Sequence, residues 1–292
     1  MAILWRFTIN VGIVGAGRVG CALAVALGRC GYRITGISSR RRASAQICAG
    51  CVPGQAPPPV VELSELPVLA ETIFLAVPDD QLQAVSQSLQ PVLQPHHVLI
   101  HLSGVLGAAE VIAHPNALSF HPIKSFSRRK TQTNEFEGIF ITLEGTPTAL
   151  PVGRAIAQRL GANVLYVDSA QKAVYHAALC LASNYLVTLF DLARGLCHTS
   201  GLPEDVIPQL LFTLMSGTLE NLQRDPVENA LTGPIARGDV QTIRKHLDAL
   251  AATTPDQLPI YKMLGRYTLD IVRRKQQVSL DRLIALTDLL KD

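Results

Sequence analysis

Over residues 1–167, short apolar runs alternate with amphipathic stretches, and most runs close on glycine, proline or a small polar residue. That alternation predicts strands and helices in turn, hence a parallel, doubly wound α/β sheet. The runs at 11–14, 32–37, 60–62, 72–76, 98–102, 117–120, 139–143 and 163–167 predict strands. The intervening stretches at 21–30, 43–49, 81–89 and 151–160 predict helices. From residue 169 the period is helical throughout, with helices expected at 171–199, 204–224, 239–251, 256–275 and 280–290. Asp239 and Asp281 stand where helix N-termini favour an acid. The 171–199 stretch lacks proline and is apolar on nearly all sides, which predicts a helix buried among others. The boundary falls near Asp168, giving an α/β domain over 1–167 and an all-α domain over 168–292.

The first strand, Val11-Gly12-Ile13-Val14, runs straight into Gly15-Ala16-Gly17-Arg18-Val19-Gly20 and then into an apolar helix. This strand-turn-helix setting turns a Gly-x-Gly-x-x-Gly into a dinucleotide fingerprint of the Rossmann type. Gly15 permits the tight turn, Gly17 lets backbone approach a pyrophosphate, and Gly20 lets the helix pack close to the strand. Residues 15–20 are therefore assigned to cofactor binding. An NAD site carries an acid about 20 residues on, to accept the ribose hydroxyl. Here the second strand ends in Ser38-Ser39-Arg40-Arg41-Arg42, and these hydroxyls and guanidiniums suit a 2′-phosphate. NADP(H) is the expected cofactor, the alternative being a solvated basic loop.

In an open α/β sheet the ligand lies beyond the carboxyl ends of the strands. Val77, Pro78 and Ser103 occupy such ends and are assigned to the cofactor, although Ser103-Gly104 also fits ordinary turn chemistry. His121 occupies another, where an imidazole can exchange a proton as hydride moves. It could equally cap the strand. On the 171–199 helix, Lys172, His176, Ser183 and Asp191 share one face with Asn184 at its margin. Such a polar stripe fits a cleft wall, and it fits satisfied core polars or an inter-subunit contact as well. The stiff loop 231–239 carries Arg237, which could clamp a carboxylate or pair with Asp239.

Composition narrows the class. At 292 residues the chain has room for two cores, and 48% hydrophobic with 17% charged residues is globular. A net charge of +3 gives no case for nucleic acid. Residues 1–10 lack a signal-peptide layout, and the apolar stretch 173–192 carries too many polar groups for a bilayer span, so a cytoplasmic protein without a membrane partner is expected. Of the six cysteines, Cys48 and Cys51 form one C-x-x-C with no second pair, so no metal site is expected. A redox pair there competes with a loop coincidence.

The fingerprint, Ser119-Phe120-His121-Pro122, Tyr175-His176-Ala177-Ala178, Ser183-Asn184-Tyr185-Leu186 and the 231–239 loop closely resemble a family of Rossmann-like proteins whose C-terminal helical module is the domain of unknown function 2520. The likeness spans almost the whole chain. More remotely, the layout is similar to the 6-phosphogluconate, β-hydroxyacid, ketopantoate and pyrroline-carboxylate oxidoreductases, whose helical domains form dimers and complete the active site. That resemblance implies a homodimer through the C-terminal helices. His121-Pro122-Ile123 also resembles a segment of prephenate dehydrogenases whose histidine acts on the substrate hydroxyl, but Lys124-Ser125-Phe126 departs from its continuation. Hydroxyacid dehydrogenases place a catalytic Lys shortly before an Asn. Here Cys180 stands four before Asn184, and Lys172 with His176 has the similar spacing.

The combined expectation is an NADP(H)-dependent oxidoreductase moving hydride to or from the carbonyl or imine carbon of a small, anionic metabolite. His121 would exchange the proton, Lys172, His176 and Asn184 would orient the polarised atom, and Arg237 with Ser183 would bind substrate. A non-catalytic NADP(H) sensor signalling through its dimer, or a non-redox enzyme on the same fold, are the rival expectations.

Overall fold

A computed structural model describes residues 9–54, 56–126 and 133–291. Nearly all of the 1–10 segment therefore lies outside the described residues. The chain divides into two compact units, Met1–Leu181 and Ala182–Asp292.

The first unit is built on one seven-stranded sheet: β1 (Asn10–Val14), β2 (Arg33–Ser38), β3 (Thr72–Leu75), β4 (Val98–His101), β5 (Ala117–Pro122), β6 (Phe140–Gly145) and β7 (Asn163–Tyr166). The strand order is β2-β1-β3-β4-β5-β6-β7. All neighbours run parallel except β5 and β6. The expectation of a parallel sheet needs correcting at that pair. Parallel return requires a long crossover, normally a helix, and none is present among the described residues between Pro122 and Phe140, so the chain comes back antiparallel. The expected strand at 60–62 is reduced to one bridge, Ile37 to Val60, because the prolines before it deny the segment amide donors.

The helices of this unit are α1 (Arg18–Arg29), α2 (Arg42–Ala49), α3 (Leu66–Leu69), α4 (Asp79–Leu89), α5 (Ala108–Val111), α6 (Leu150–Arg159) and α7 (Lys172–Ala182), whose last residue opens the second unit. The short α3 and α5 fall below the length at which helical period is legible. Alternate strand residues feed two cores. Phe74, Ile100, Leu118, Phe120, Ile141 and Leu143 join one with α1 and α6, while Ile73, Leu75 and Leu99 join another with α4. Phe74 and Phe120 meet edge to face at 5.7 Å, and burial of each such side chain contributes about 1.5–3 kcal/mol.

The second unit is helical: α8 (Asn184–Thr199), α9 (Ile207–Arg224), α10 (Val227–Ala230), α11 (Val240–Thr253), α12 (Leu258–Lys275) and α13 (Leu280–Leu289). Its core is Ile243 and Leu247 of α11, Leu269 of α12, and Leu286 and Leu290 at α13. Asp239 caps α11, its side chain accepting from the Thr242 amide at 3.0 Å.

Two features of the 171–199 stretch depart from expectation. It is interrupted at Ser183, a turn residue with φ of −118° and ψ of −63°, so it is α7 and α8 rather than one rod. It is not buried either: Lys172 is the one buried residue of α7 and α8 has none. An all-round apolar helix needs cover, and this single chain leaves Val187 and, on α9, Phe212 largely exposed. By length and composition Ser169–Thr199 could cross a membrane, yet its first turn is held against the sheet through Lys172.

Candidate active site

The carboxyl ends of β1 to β5 form the edge on which the predicted residues converge. At β1 the fingerprint glycines have distinct constraints. Gly15 has φ +102°, and a Cβ there would stand 2.2 Å from the Ala76 carbonyl oxygen. A Cβ on Gly20 would meet the Gly15 oxygen at 2.0 Å, whereas one on Gly17 would meet nothing within 4 Å. Two glycines are thus demanded by packing, and the third leaves open the space a pyrophosphate would take. Gly17 makes no side-chain cap and α1 has no acid in its first turn, so amides and helix dipole are available to an anion, with Arg18 exposed beside them. Ala16 is buried and Val19 half-buried, while Val77 reaches the turn itself, its Cγ1 3.2 Å from the added Gly15 Cβ. Pro78 caps α4.

At the end of β2, Ser38 is buried and its carbonyl accepts from the Gly15 amide at 2.8 Å, tying the two turns together. Ser39 is half-buried, and Arg40 and Arg41 are exposed, their guanidiniums without a hydrogen bond or ion pair among the described residues, although the Arg41 carbonyl accepts from the Ser44 amide at 2.9 Å. Arg42 differs, lying 3.9 Å from Glu62. Arg41 also precedes α2, whose N-terminus is uncapped and free of acids. Two free guanidiniums and open amides fit a phosphate monoester at this corner.

The second cluster comes from strand alternation. In β4, β5 and β6 the core takes Ile100, Leu118, Phe120, Ile141 and Leu143, which sends His101, Ser119, His121, Thr142 and Glu144 to the opposite face. Lys172 at the start of α7 is buried there, its Nζ donating to Ser119 Oγ at 2.7 Å and to the Ser103 carbonyl at 3.4 Å. Burial pulls its pKa down while the carboxylates of Glu144, Glu110 and Asp79 oppose that shift. One turn on, the Tyr175 hydroxyl lies 2.9 Å from His121 Nδ1 and 3.0 Å from Thr142 Oγ1. The His176 ring is 6.0 Å from that of His121, and its Nδ1 lies 3.8 Å from Cys180 Sγ. Gly104 supports both imidazoles: a Cβ there would come within 2.6 Å of His176 Cδ2 and 2.8 Å of His121 Nε2.

Burial, then the positive charge of Lys172 and the neighbouring His176, push the His121 imidazolium down to about 4. At neutral pH His121 is an uncharged imidazole. His101, wholly buried, is pushed down to about 3 for the same first cause. Its Nδ1 accepts from the Ser103 amide at 3.2 Å, so Nε2 carries the hydrogen, and that atom has no partner among the described residues. Ser103, predicted at the cofactor, has its hydroxyl engaged: it donates to Asp79 at 2.8 Å and accepts from the amides of Val105 and Leu106.

His121, Lys172 and His176 are therefore brought together. Ser183, Asn184 and Arg237 lie in the helical unit, Ser183 and Asn184 at the start of α8. Arg237 is exposed and its guanidinium pairs with neither Asp239 nor any other described acid, although its carbonyl accepts from Arg282 at 3.5 Å. Thr142 and His101 escaped the sequence reading, and Ser119 and Tyr175 entered it only as parts of motifs, without a role. The available signal was the polar member of each alternating pair in three neighbouring strands, which becomes meaningful only once the strand order is known.

Residues 4–118 match the Rossmann-like domain and residues 139–268 match the domain of unknown function 2520. The chain carries a Rossmann-like domain followed by a domain of unknown function 2520. A Thermotoga maritima protein is similar to this two-domain chain at 28% identity and TM-score 0.72, over 91% of this chain and 100% of that one. A candidate NADP oxidoreductase of Bacteroides fragilis is similar at 26% identity and TM-score 0.72, over 89% of this chain and 97% of that one. Pyrroline carboxylate reductase of Plasmodium falciparum, solved with NADP bound, shares the fold at 13% identity and TM-score 0.58, over 97% of this chain and 98% of that one. No curated protein matches the chain.

Proposed function

We propose that this Rossmann-like, domain-of-unknown-function-2520 protein is an NADP(H)-dependent oxidoreductase acting on the carbonyl or imine carbon of a small, anionic metabolite. The observation that carries the reading is the shared sheet edge: the open Gly17 cradle, the free Arg40 and Arg41 guanidiniums, and the His121 cluster stand at the carboxyl ends of parallel strands β1, β2 and β5 of one sheet. The similar Bacteroides fragilis protein, a candidate NADP oxidoreductase, supports it. When bound, the nicotinamide supplies or removes the hydride. The amides at Gly17 and the start of α1 would hold the pyrophosphate, Val77 and Pro78 would line that turn, and Arg40 and Arg41 would hold the 2′-phosphate.

His121 exchanges the proton at the substrate heteroatom. His176, its Nε2 free of partners among the described residues, orients that atom. Lys172 is fully buried, so it acts as a positioning residue, fixing the turn of α7 that bears Tyr175 and His176. In the helical unit, Ser183 and Arg237 carry the polar and cationic side chains suited to an anionic group. The domain running from about residue 168 dimerises, because the apolar faces of α8 and α9 left open in one chain need a second copy as cover. Such a protein works in the cytoplasm on a freely diffusing substrate.

The test is titration with NADPH and NADH followed by NADPH oxidation across a panel of keto acids and cyclic imines. NADPH binding with turnover of one panel member is the expected result. Equal affinity for the two cofactors removes the phosphate assignment, and tight binding without any turnover favours a sensor.

A further inference from the structure

We propose that Tyr175 is the proton source of this site, passing its phenolic proton to His121 Nδ1 as the Nε2 proton of the same ring moves to the substrate oxygen. This rests on the oxidoreductase reading above, and it assigns a role to a residue that reading leaves idle.

The direction of the hydrogen-bond chain follows from counting donors. Tyr175 Oη touches two atoms, His121 Nδ1 at 2.9 Å and Thr142 Oγ1 at 3.0 Å. In one orientation Thr142 donates to Tyr175 and Tyr175 donates to Nδ1, so both hydroxyl hydrogens have an acceptor and only the Nε2 hydrogen, on a half-buried ring, is left for solvent or substrate. In the other, Nδ1–H donates to Tyr175 and Tyr175 to Thr142, which leaves the Thr142 hydroxyl hydrogen, on a side chain only 2% exposed, with no acceptor among the described residues. An unsatisfied buried donor costs about 1–3 kcal/mol. The first orientation wins, and it makes His121 the Nε2–H tautomer with that hydrogen on the Gly104 side of the ring.

A neutral imidazole is a poor acid by itself, since losing Nε2–H would leave imidazolate. Simultaneous gain of a proton at Nδ1 removes the problem, and a phenol is far more acidic than the alcohol being formed. The step balances: hydride from the reduced nicotinamide adds to the carbonyl carbon and the C=O π pair moves onto oxygen. O–H forms with the Nε2 proton and N–H forms at Nδ1. The phenolic O–H breaks, leaving a tyrosinate held by Thr142 until water reprotonates it. The groups that set local charge around the pair are Lys172 and His176 on α7, His101 on β4 and Glu144 on β6. Burial pushes the Tyr175 phenol above its ordinary value, and the hydrogen bond with Thr142 opposes that shift, so the anion is short-lived.

The experiment uses the full chain labelled with nitrogen-15 histidine, with the His121→Gln spectrum assigning the His121 signals. Long-range nitrogen–proton spectra are expected to show His121 protonated at Nε2, and Tyr175→Phe to convert it to a tautomer mixture. With an active substrate, Tyr175→Phe is expected to lower kcat about 100-fold with NADPH affinity within about twofold, and to change a two-proton solvent-isotope inventory into a one-proton one. Protonation at Nδ1 in the wild type, or wild-type kcat in Tyr175→Phe, overturns the relay whether or not the oxidoreductase reading stands. An Nε2–H spectrum with no turnover on any carbonyl or imine overturns that reading instead, and leaves Tyr175 as the group that sets the ring's tautomer.

Discussion

The ammonium of Lys172 sits 2.7 Å from the hydroxyl of Ser119, and both side chains are fully buried. A buried charge tolerates this only while its hydrogen-bond acceptors remain. Ser119→Ala leaves Nζ with the Ser103 carbonyl at 3.4 Å and is expected to cost about 1–3 kcal/mol. Lys172→Met keeps the volume, removes the charge, and is expected to cost less. The double variant should resemble Lys172→Met alone in denaturant titration. Strictly additive losses would show that the bond contributes nothing.

Gly104 has its Cα under both imidazoles, where an added methyl would stand 2.6 Å from one ring and 2.8 Å from the other. Gly104→Ala should displace His121 and His176 and cost about 1–3 kcal/mol as an overpacked site. Thermal unfolding and histidine proton shifts report on this. Unchanged shifts would mean that the rings have room the geometry denies them.

The guanidiniums of Arg40 and Arg41 have no partner among the described residues, while that of Arg42 already faces Glu62. Arg40→Ala with Arg41→Ala should weaken NADPH binding about 10- to 100-fold, roughly 1.4–2.8 kcal/mol, with NADH affinity nearly constant. Arg42→Ala should weaken NADPH less than the double variant does. Fluorescence titration separates these, and an equal loss for both cofactors would count against a 2′-phosphate contact.

His101 and His121 are both held below the ordinary histidine value, at about 3 and about 4. Below pH about 6.5 the unfolded chain binds protons that the folded chain refuses, so stability falls as pH falls. Each histidine contributes its full stability above pH about 6.5 and loses about 1.4 kcal/mol per unit as pH drops toward its folded value. His101→Asn should flatten the midpoint-versus-pH curve of thermal unfolding between pH 6 and 4. Turnover should show no loss near pH 6.5, the loss an imidazolium acid would give on the alkaline side of that value.

Val187 on α8 and Phe212 on α9 are 69% and 63% exposed in a single chain. If a second copy covers them, Val187→Glu or Phe212→Glu should shift the mass measured by light scattering from dimer to monomer. A wild-type monomer at micromolar concentration would remove the dimer.

The alternation of apolar runs and helical stretches located every strand of the sheet and every long helix to within a few residues. The glycine spacing after β1 likewise located the tight strand-to-helix turn, because both signals are local. The antiparallel β6 was not legible, since strand direction depends on what the connecting segment does in space. Nor was the break at Ser183, which no proline or glycine marks.

The sequence alone determined the two-part organisation, the glycine turn at Gly15 to Gly20, the basic corner after β2, and His121 as a strand-end imidazole. Each depends on residues close together in the chain. Tertiary structure decided that Ser119, Thr142, His101 and Glu144 share one face with Lys172 and Tyr175, because that face exists only where β4, β5, β6 and α7 meet. It also decided the charge state of His121, since burial and the Lys172 ammonium, 51 residues away in the chain, lower its affinity for a proton.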